Sequence, residues 1–185
     1  MKRMFMLLAA LGALCVVGVA AADQIKGTPR DDVLVGTPNN DQIAALAGND
    51  TVDARPGDDE VAGAAGNDTL DLGEGNDKAR GGDGSDIING GPGEDYLRGN
   101  SGNDTIDAGE GNDRVFAGPG ADVENGGPGD DVMHAVAADG QHDQVDCGPG
   151  NDTVFLNPQE HDLTSNCETI KYVKPKPGDP DADDN

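Results

Sequence analysis

The chain has 185 residues, 36 acidic against 12 basic, giving a formal net charge of −24 with only five Phe or Tyr and no Trp. Such acidity argues against nucleic acid and anionic membrane surfaces, both of which call for basic patches, and points to cations as partners. By composition alone the chain would read as a disordered polymer; its periodicity opposes that reading.

Residues 1–22 read as a targeting segment and are set aside from the fold. Lys2 and Arg3 form a charged start, Leu7 to Val19 a short apolar run, and Ala20-Ala21-Ala22 an A-x-A-type cleavage site. A mature chain starting near Asp23 is expected, secreted and extracellular, without a membrane span. The apolar run is too short for an anchor and ends in small residues. The bulky Leu14 before Cys15 argues against a lipid anchor. Loss of Lys2 and Arg3 takes the charge from −24 to −26.

The repeat region spans residues 23–134. Asp23 to Lys26 fit the last four positions of an incomplete row and are expected to form the first strand. Residues 27–134 then read as twelve consecutive nonamers. Their sixth position is always Asp: Asp32, Asp41, Asp50, Asp59, Asp68, Asp77, Asp86, Asp95, Asp104, Asp113, Asp122 and Asp131. The fourth position is Gly from Gly48 to Gly129, and the eighth is aliphatic in nearly every row, from Leu34 to Met133. The first two rows start Gly-Thr-Pro, lack the fourth-position Gly and look like opening turns. Strict Gly-Gly-x-Gly-x-Asp begins at Gly81, Gly90 and Gly126.

Gly-rich positions one to six predict a tight turn. Positions seven to nine predict an extended piece whose middle side chain points inward while its neighbours point outward. Repetition of this unit predicts an all-β solenoid in which two rows make one coil with one strand on each side. Two rows break the core rule: Ala79 leaves the interior thin, and Glu124 would bury a carboxylate. Irregular structure is expected at both, with Val123 shifting to take over the inward role.

Residues 135–173 read as degenerate repeats and a C-terminal cap. Ala135 to Ala137 are additional to the period. The row from Ala138 carries Asp143 and Val145, and the row from Cys147 restores Gly150, Asp152 and Val154. Asp162-Leu163 is a degraded last turn, and Cys167 to Val173 resembles a closing strand. Two cysteines in an exported chain favour a disulfide over metal ligation, and a Cys147–Cys167 link would pin the open end of the solenoid. Residues 174–185, dominated by Pro, Asp and Lys, read as a disordered tail.

Stacking places sixth-position aspartates of alternate rows along one edge, one strand spacing apart. Like charges at that distance repel by about 1 kcal/mol in bulk water and more strongly near protein. One aliphatic group per nine residues is too small a core to offset both that repulsion and the ordering of the chain. A hard divalent cation between coils, held by carboxylates and turn carbonyls, supplies what is missing. All-oxygen ligation suits Ca2+; Mg2+ demands a tighter octahedron, and transition metals want His or Cys. Several such ions would make binding energy into folding energy.

These rows resemble the Gly-Gly-x-Gly-x-Asp-x-U-x nonapeptide of RTX calcium-binding proteins, from Asp23 to about Phe155. The resemblance implies a right-handed parallel β-roll with Ca2+ in rows along both edges. It also implies that the metal ligands are the twelve aspartates named above together with Asp143 and Asp152. The segment from Asp139 to Asp152, with Cys167-Glu168, resembles the ending of small secreted bacterial calcium-binding proteins. RTX toxins carry large effector domains and a C-terminal secretion signal; this chain has an N-terminal targeting segment and no effector.

No His-Glu-x-x-His or Gly-x-Ser-x-Gly motif is present. His142-Asp143 and His161-Asp162 superficially resemble metal-phosphohydrolase dyads, but each is a repeat Asp or its remnant preceded by a variable residue. Carboxylates on exposed, cation-saturated edges make poor general acids, so catalysis is not expected. Asn49, Asn67, Asn103 and Asn151 form sequons as by-products of the repeat. A regular Thr ladder on the turn, as an ice-binding surface requires, is missing. The sequence thus describes a secreted, non-catalytic β-roll that folds on binding Ca2+. The alternative is a calcium-rigidified adhesion or matrix-binding protein with a cell-surface or polysaccharide partner.

Overall fold

An aliphatic residue recurring once per nine, followed by a turn that reverses the chain, places successive strands on opposite sides of a narrow interior. The computed structural model describes residues 24–137 and 139–174, so the targeting segment and the tail beyond residue 174 lie outside the described residues. Among those described, the strands in chain order are β1 (Gln24–Lys26), β2 (Val33–Val35), β3 (Gln42–Ala47), β4 (Thr51–Asp53), β5 (Glu60–Ala65) and β6 (Thr69–Asp71). They continue with β7 (Lys78–Asp83), β8 (Ile87–Pro92), β9 (Tyr96–Ser101), β10 (Thr105–Glu110), β11 (Arg114–Phe116) and β12 (Val123–Asn125). The last are β13 (Val132–Ala135), β14 (Gln144–Asp146), β15 (Thr153–Leu156), β16 (Leu163–Ser165) and β17 (Thr169–Tyr172).

Odd-numbered strands form a nine-stranded sheet and even-numbered strands an eight-stranded one. Every pairing joins a strand to the second one along the chain, in parallel. This is an all-β parallel solenoid. Register keeps eighth-position residues opposite one another: Ile43 to Val61 to Ala79 to Leu97 to Val115 in one sheet, and Leu34 to Val52 to Leu70 to Ile88 to Ile106 in the other.

The strands correct one expectation. In β3, β5, β7, β8, β9 and β10 the extended segment covers six residues, running on through positions one to three of the next row. Strand alternation therefore makes the first position a second inward site. Ala45, Ala54, Leu72, Ala108, Ala117, Ala135 and Cys147 are buried there beside the aliphatic file. Small residues prevail because the two sheets leave little room between them.

Neither Ala79 nor Glu124 disturbs the register. Ala79 pairs with Val61 and Leu97 and is buried. Glu124 lies between Ile106 and Val145 in the interior, 1% exposed, while Val123 stays outside at 44%. A shift to bring Val123 inward would break the parallel pairing of β12 with both β10 and β14, and the backbone ladder outweighs the preference of one side chain.

Turn curvature depends on positive φ at the second and fourth positions. At Gly66 φ is 125°, and a Cβ there would run into the Gly48 carbonyl of the preceding coil. At the second position Leu46, Arg55, Ala64 and Asn100 adopt φ of 90°, 75°, 86° and 71°, a strain of about 1–2 kcal/mol each for an L side chain. The C-terminal end is closed by the Cys147–Cys167 disulfide, with Cα atoms 5.2 Å apart, and by β16 and β17.

Leu97 is fully buried between Ala79 and Val115. Leu97→Ala is expected to lower unfolding free energy by about 2–5 kcal/mol, measured by the shift in urea midpoint.

Candidate metal centre

The sixth residue of each row leaves the turn and enters the strand, so every coil presents it at the same height. Two files result. One contains Asp32, Asp50, Asp68, Asp86, Asp104, Asp122 and Asp143; the other contains Asp41, Asp59, Asp77, Asp95, Asp113, Asp131 and Asp152. In each file the backbone N–H of one aspartate donates to Oδ1 of the aspartate in the next coil, at 2.6–2.9 Å. The files end on Asp162, which accepts from the Asp143 N–H at 3.1 Å, and Glu168, which accepts from the Asp152 N–H at 3.0 Å. All fourteen sequence-predicted residues are thus brought into line.

Their burial corrects the expectation of exposed edges. Asp41 through Asp152 in these files are at most 2% exposed, and Asp32, at the first turn, is half-buried. Coil stacked on coil covers each carboxylate above and below, while turn backbone covers it laterally. Glycine at the first position makes this fit possible: a Cβ on Gly63, Gly81 or Gly99 would collide with Oδ2 of Asp68, Asp86 or Asp104.

The second carboxylate oxygen tests whether the site suits a cation. Oδ2 of Asp50, Asp59, Asp68, Asp77, Asp86, Asp95, Asp104, Asp113, Asp122, Asp131 and Asp152 is buried with no hydrogen-bond partner, as is Oδ2 of Asp162. A buried, unpaired anionic oxygen is costly once and untenable in two repeating files without compensation. The donor set is all oxygen, as a hard cation requires. Among the described residues no three His, Cys, Asp or Glu side chains converge on one point. Any ion between coils would therefore take part of its shell from backbone carbonyls.

The first two rows are built differently. Thr28 donates from its N–H and Oγ1 to Oδ2 of Asp32, at 2.5 and 2.9 Å. Thr37 donates from its N–H to Oδ2 of Asp41 at 2.5 Å and from Oγ1 to Oδ1 at 3.1 Å. The Gly-Thr-Pro rows thus satisfy their aspartates with hydroxyl and amide, as suits the start of a stack.

A second ladder escaped the sequence reading. At the fifth position, side-chain Oδ1 of Asp31, Asn40, Asn49, Asp58, Asn67 or Asn76 accepts the fifth-position N–H of the following coil, at 2.8–3.0 Å. Asn103, Asn112 and Asp130 continue it. Its direction opposes that of the sixth-position ladder, so each turn is tied to the coil on either side. The available signal was the Asn or Asp placed before most repeat aspartates. Sequon residues Asn49, Asn67 and Asn103 belong to this ladder. His142 and His161 are stacked repeat positions, the His161 N–H donating to His142 Nδ1 at 3.3 Å, and His134 lies on a sheet face away from both.

From Asp50 to Asp152, burial raises the carboxyl pKa in both files, against the opposing effect of the backbone N–H; at most of these positions neighbouring carboxylates add to the rise. Asp50, Asp59 and Asp86 are raised to about 6, and Asp77, Asp95, Asp104, Asp122, Asp131 and Asp143 to about 7, from 3.8. Asp68, Asp113 and Asp152 move in the same direction, again through burial first. A group whose folded pKa exceeds its unfolded value of 3.8 supports the fold below that value and loses this contribution as pH rises to about 7. Protein stripped of divalent cations is therefore expected to be most stable in acid and to lose its strand signal as pH is raised through that window, followed by circular dichroism.

The family model described as the RTX calcium-binding nonapeptide repeat (four copies) matches residues 17–52, 26–61, 35–70, 63–97, 72–106, 89–124, 98–133 and 107–140. These overlapping matches cover residues 17–140, roughly two-thirds of the chain. The coils containing β14 to β17 continue the solenoid beyond them. No curated protein matches the chain.

Proposed function

The chain belongs to the RTX calcium-binding nonapeptide repeat family, and on that premise we propose that it is an exported, non-catalytic protein whose coils assemble around calcium. One observation carries this reading: in two files of buried aspartates, the residues from Asp50 to Asp131, and Asp152, keep Oδ2 unpaired between coils. Asp50, Asp68, Asp86, Asp104, Asp122 and Asp143 would hold ions along one edge, and Asp59, Asp77, Asp95, Asp113, Asp131 and Asp152 along the other. Asp32 and Asp41 would contribute at the first turns, where Thr28 and Thr37 already share the charge.

Bound calcium supplies positive charge and tolerant, high-number oxygen ligation. The aspartates align their own oxygens through the N–H to Oδ1 ladder, and the glycine-rich turns bring carbonyls close. Protein without ions has to keep these carboxyls protonated or open the stack to water, so binding and folding are linked. The Cys147–Cys167 disulfide supports an oxidising, extracellular setting. Among the described residues no helix is long and apolar enough to cross a membrane. A non-catalytic role is supported by carboxylates sealed between coils, where substrate has no access.

Far-UV circular dichroism during a calcium titration tests this. A coil-to-strand transition reversed by chelator is expected, with magnesium much less effective. Replacing Asp86, Asp95 and Asp104 together by Ala should move the midpoint to about tenfold higher calcium or abolish the transition. Strand signal that persists in excess EDTA at neutral pH, or an equal response to magnesium, would contradict it.

A further inference from the structure

The outward faces of the two sheets differ in a way that ion binding does not require. At the seventh and ninth positions of β7, β9, β11, β13, β15 and β17, the odd-numbered sheet carries Lys78, Arg80, Arg98, Arg114 and Lys171 and no acidic residue. The same positions of the even-numbered sheet carry Asp53, Asp71, Asp107 and Asp146 and no Lys or Arg. In a chain with a net charge of −24, five cations on one acid-free strip are a marked segregation.

Aromatic rings fill the middle of the strip in register. Phe116 stacks on His134 with ring centroids 4.4 Å apart, and His134 on Phe155 at 4.5 Å. Cations close both ends of this column. Arg98 lies 5.0 Å over the Phe116 ring and donates to the Tyr96 hydroxyl from Nε and Nη2, at 3.1 and 2.7 Å. Lys171 Nζ lies 4.9 Å over Phe155. The stack fixes the positions of its terminal charges. Lys78, Arg80 and Arg114 are exposed beside it, Arg80 touching Glu60 only at 3.9 Å.

We propose that this strip is a docking face for a linear acidic polysaccharide lying across the strands, parallel to the solenoid axis. Charge complementarity calls for an anion, and guanidinium groups hold carboxylates by paired hydrogen bonds. The strip spans six strands, about 24 Å, and is one three-residue segment wide. That shape suits a single polymer chain, whereas a second copy of the protein would need roughly 800 Å² on each side for a stable contact. Nucleic acid is disfavoured because Phe116, His134 and Phe155 cover one another's inner faces and Arg98 and Lys171 the outer ones, leaving none for bases, and because acidic turns flank the strip. The proposal goes beyond calcium binding, since it rests on strand positions and not on the turns.

Hyaluronate, a linear polymer with one carboxylate per disaccharide, is the probe, with dextran of matched length as its neutral counterpart. Purified folded protein is expected to bind hyaluronate and not dextran in isothermal titration calorimetry, with affinity that falls as salt is raised. Combined Lys78→Gln, Arg80→Gln and Arg114→Gln should weaken binding by about tenfold or more. Asp53→Asn, Asp71→Asn and Asp107→Asn on the opposite face should leave it intact, with circular dichroism confirming the strands in both variants. Equal binding of dextran, full affinity in the Gln variant, or preference for a single-stranded oligonucleotide would overturn the proposal. So would salt-sensitive self-association lost in the Gln variant without any hyaluronate binding, which would assign the face to a second copy.

Discussion

Each repeat aspartate from Asp50 to Asp131 faces two demands. One oxygen accepts the N–H of the preceding coil and fixes the stacking distance; the other remains buried without a partner. The first makes the solenoid regular, and the second makes it incomplete. Removing the carboxylates would leave orphaned backbone N–H groups, while keeping them demands either protons or cations. The shift of these carboxyls to about 6 or 7 reflects the same conflict, because burial penalises the charge that the ladder geometry would otherwise favour. Everything else in the fold is arranged so that this file can repeat.

The ladder tolerates irregular chain length because only its own residues must remain in register. Between β13 and β14 three additional residues enter, yet Asp122 still donates to Asp143 and Asp131 to Asp152, now 21 residues apart instead of 18. The excess is not at Ala135 to Ala137 as the period suggested, since Ala135 and Val136 are buried; the exposed residues follow them, where the N–H groups of Asp139 and Gly140 find Glu160. In the last coil the separation falls to 16, and the longer Glu168 replaces Asp to reach the Asp152 N–H. The Cys147–Cys167 disulfide ties this shortened coil to the buried first position of its predecessor. The cap is thus built from the same contacts as the body, with longer side chains and one covalent link spanning the mismatch.

Outward strand positions are free of these constraints. They contribute neither to the narrow interior nor to the files between coils, so their composition can vary without cost to stacking. The even-numbered sheet has used that freedom for acids, amides, Thr and a few exposed aliphatic residues, and the odd-numbered sheet, from β7 onward, for cations and stacked rings. The turns hold the solenoid together, and the faces give it two sides of opposite charge character.

Much of this was legible in the nonamers. Period nine with an invariant Asp and a recurrent aliphatic residue established a two-strand coil and a parallel stack, because strand alternation and chain reversal leave one arrangement that buries the eighth residue every time. It also placed Asp32 to Asp152 in files, and charge repulsion together with a thin apolar core led to the expectation of a cation between coils. The second inward position was not legible, since Ala45, Gly63 and Leu72 share no type; only strand length reveals that the first position is extended. Burial of the aspartates was likewise decided by tertiary structure, because coverage comes from coils 18 residues away. Glu124 stayed inward for the same reason: pairing with β10 and β14 outweighs a single carboxylate. Local sequence determined the repeating unit, whose turns and strands close through short-range contacts. Stacking decided what each unit buries and which face each cation joins, because those contacts exist only once neighbouring coils are in place.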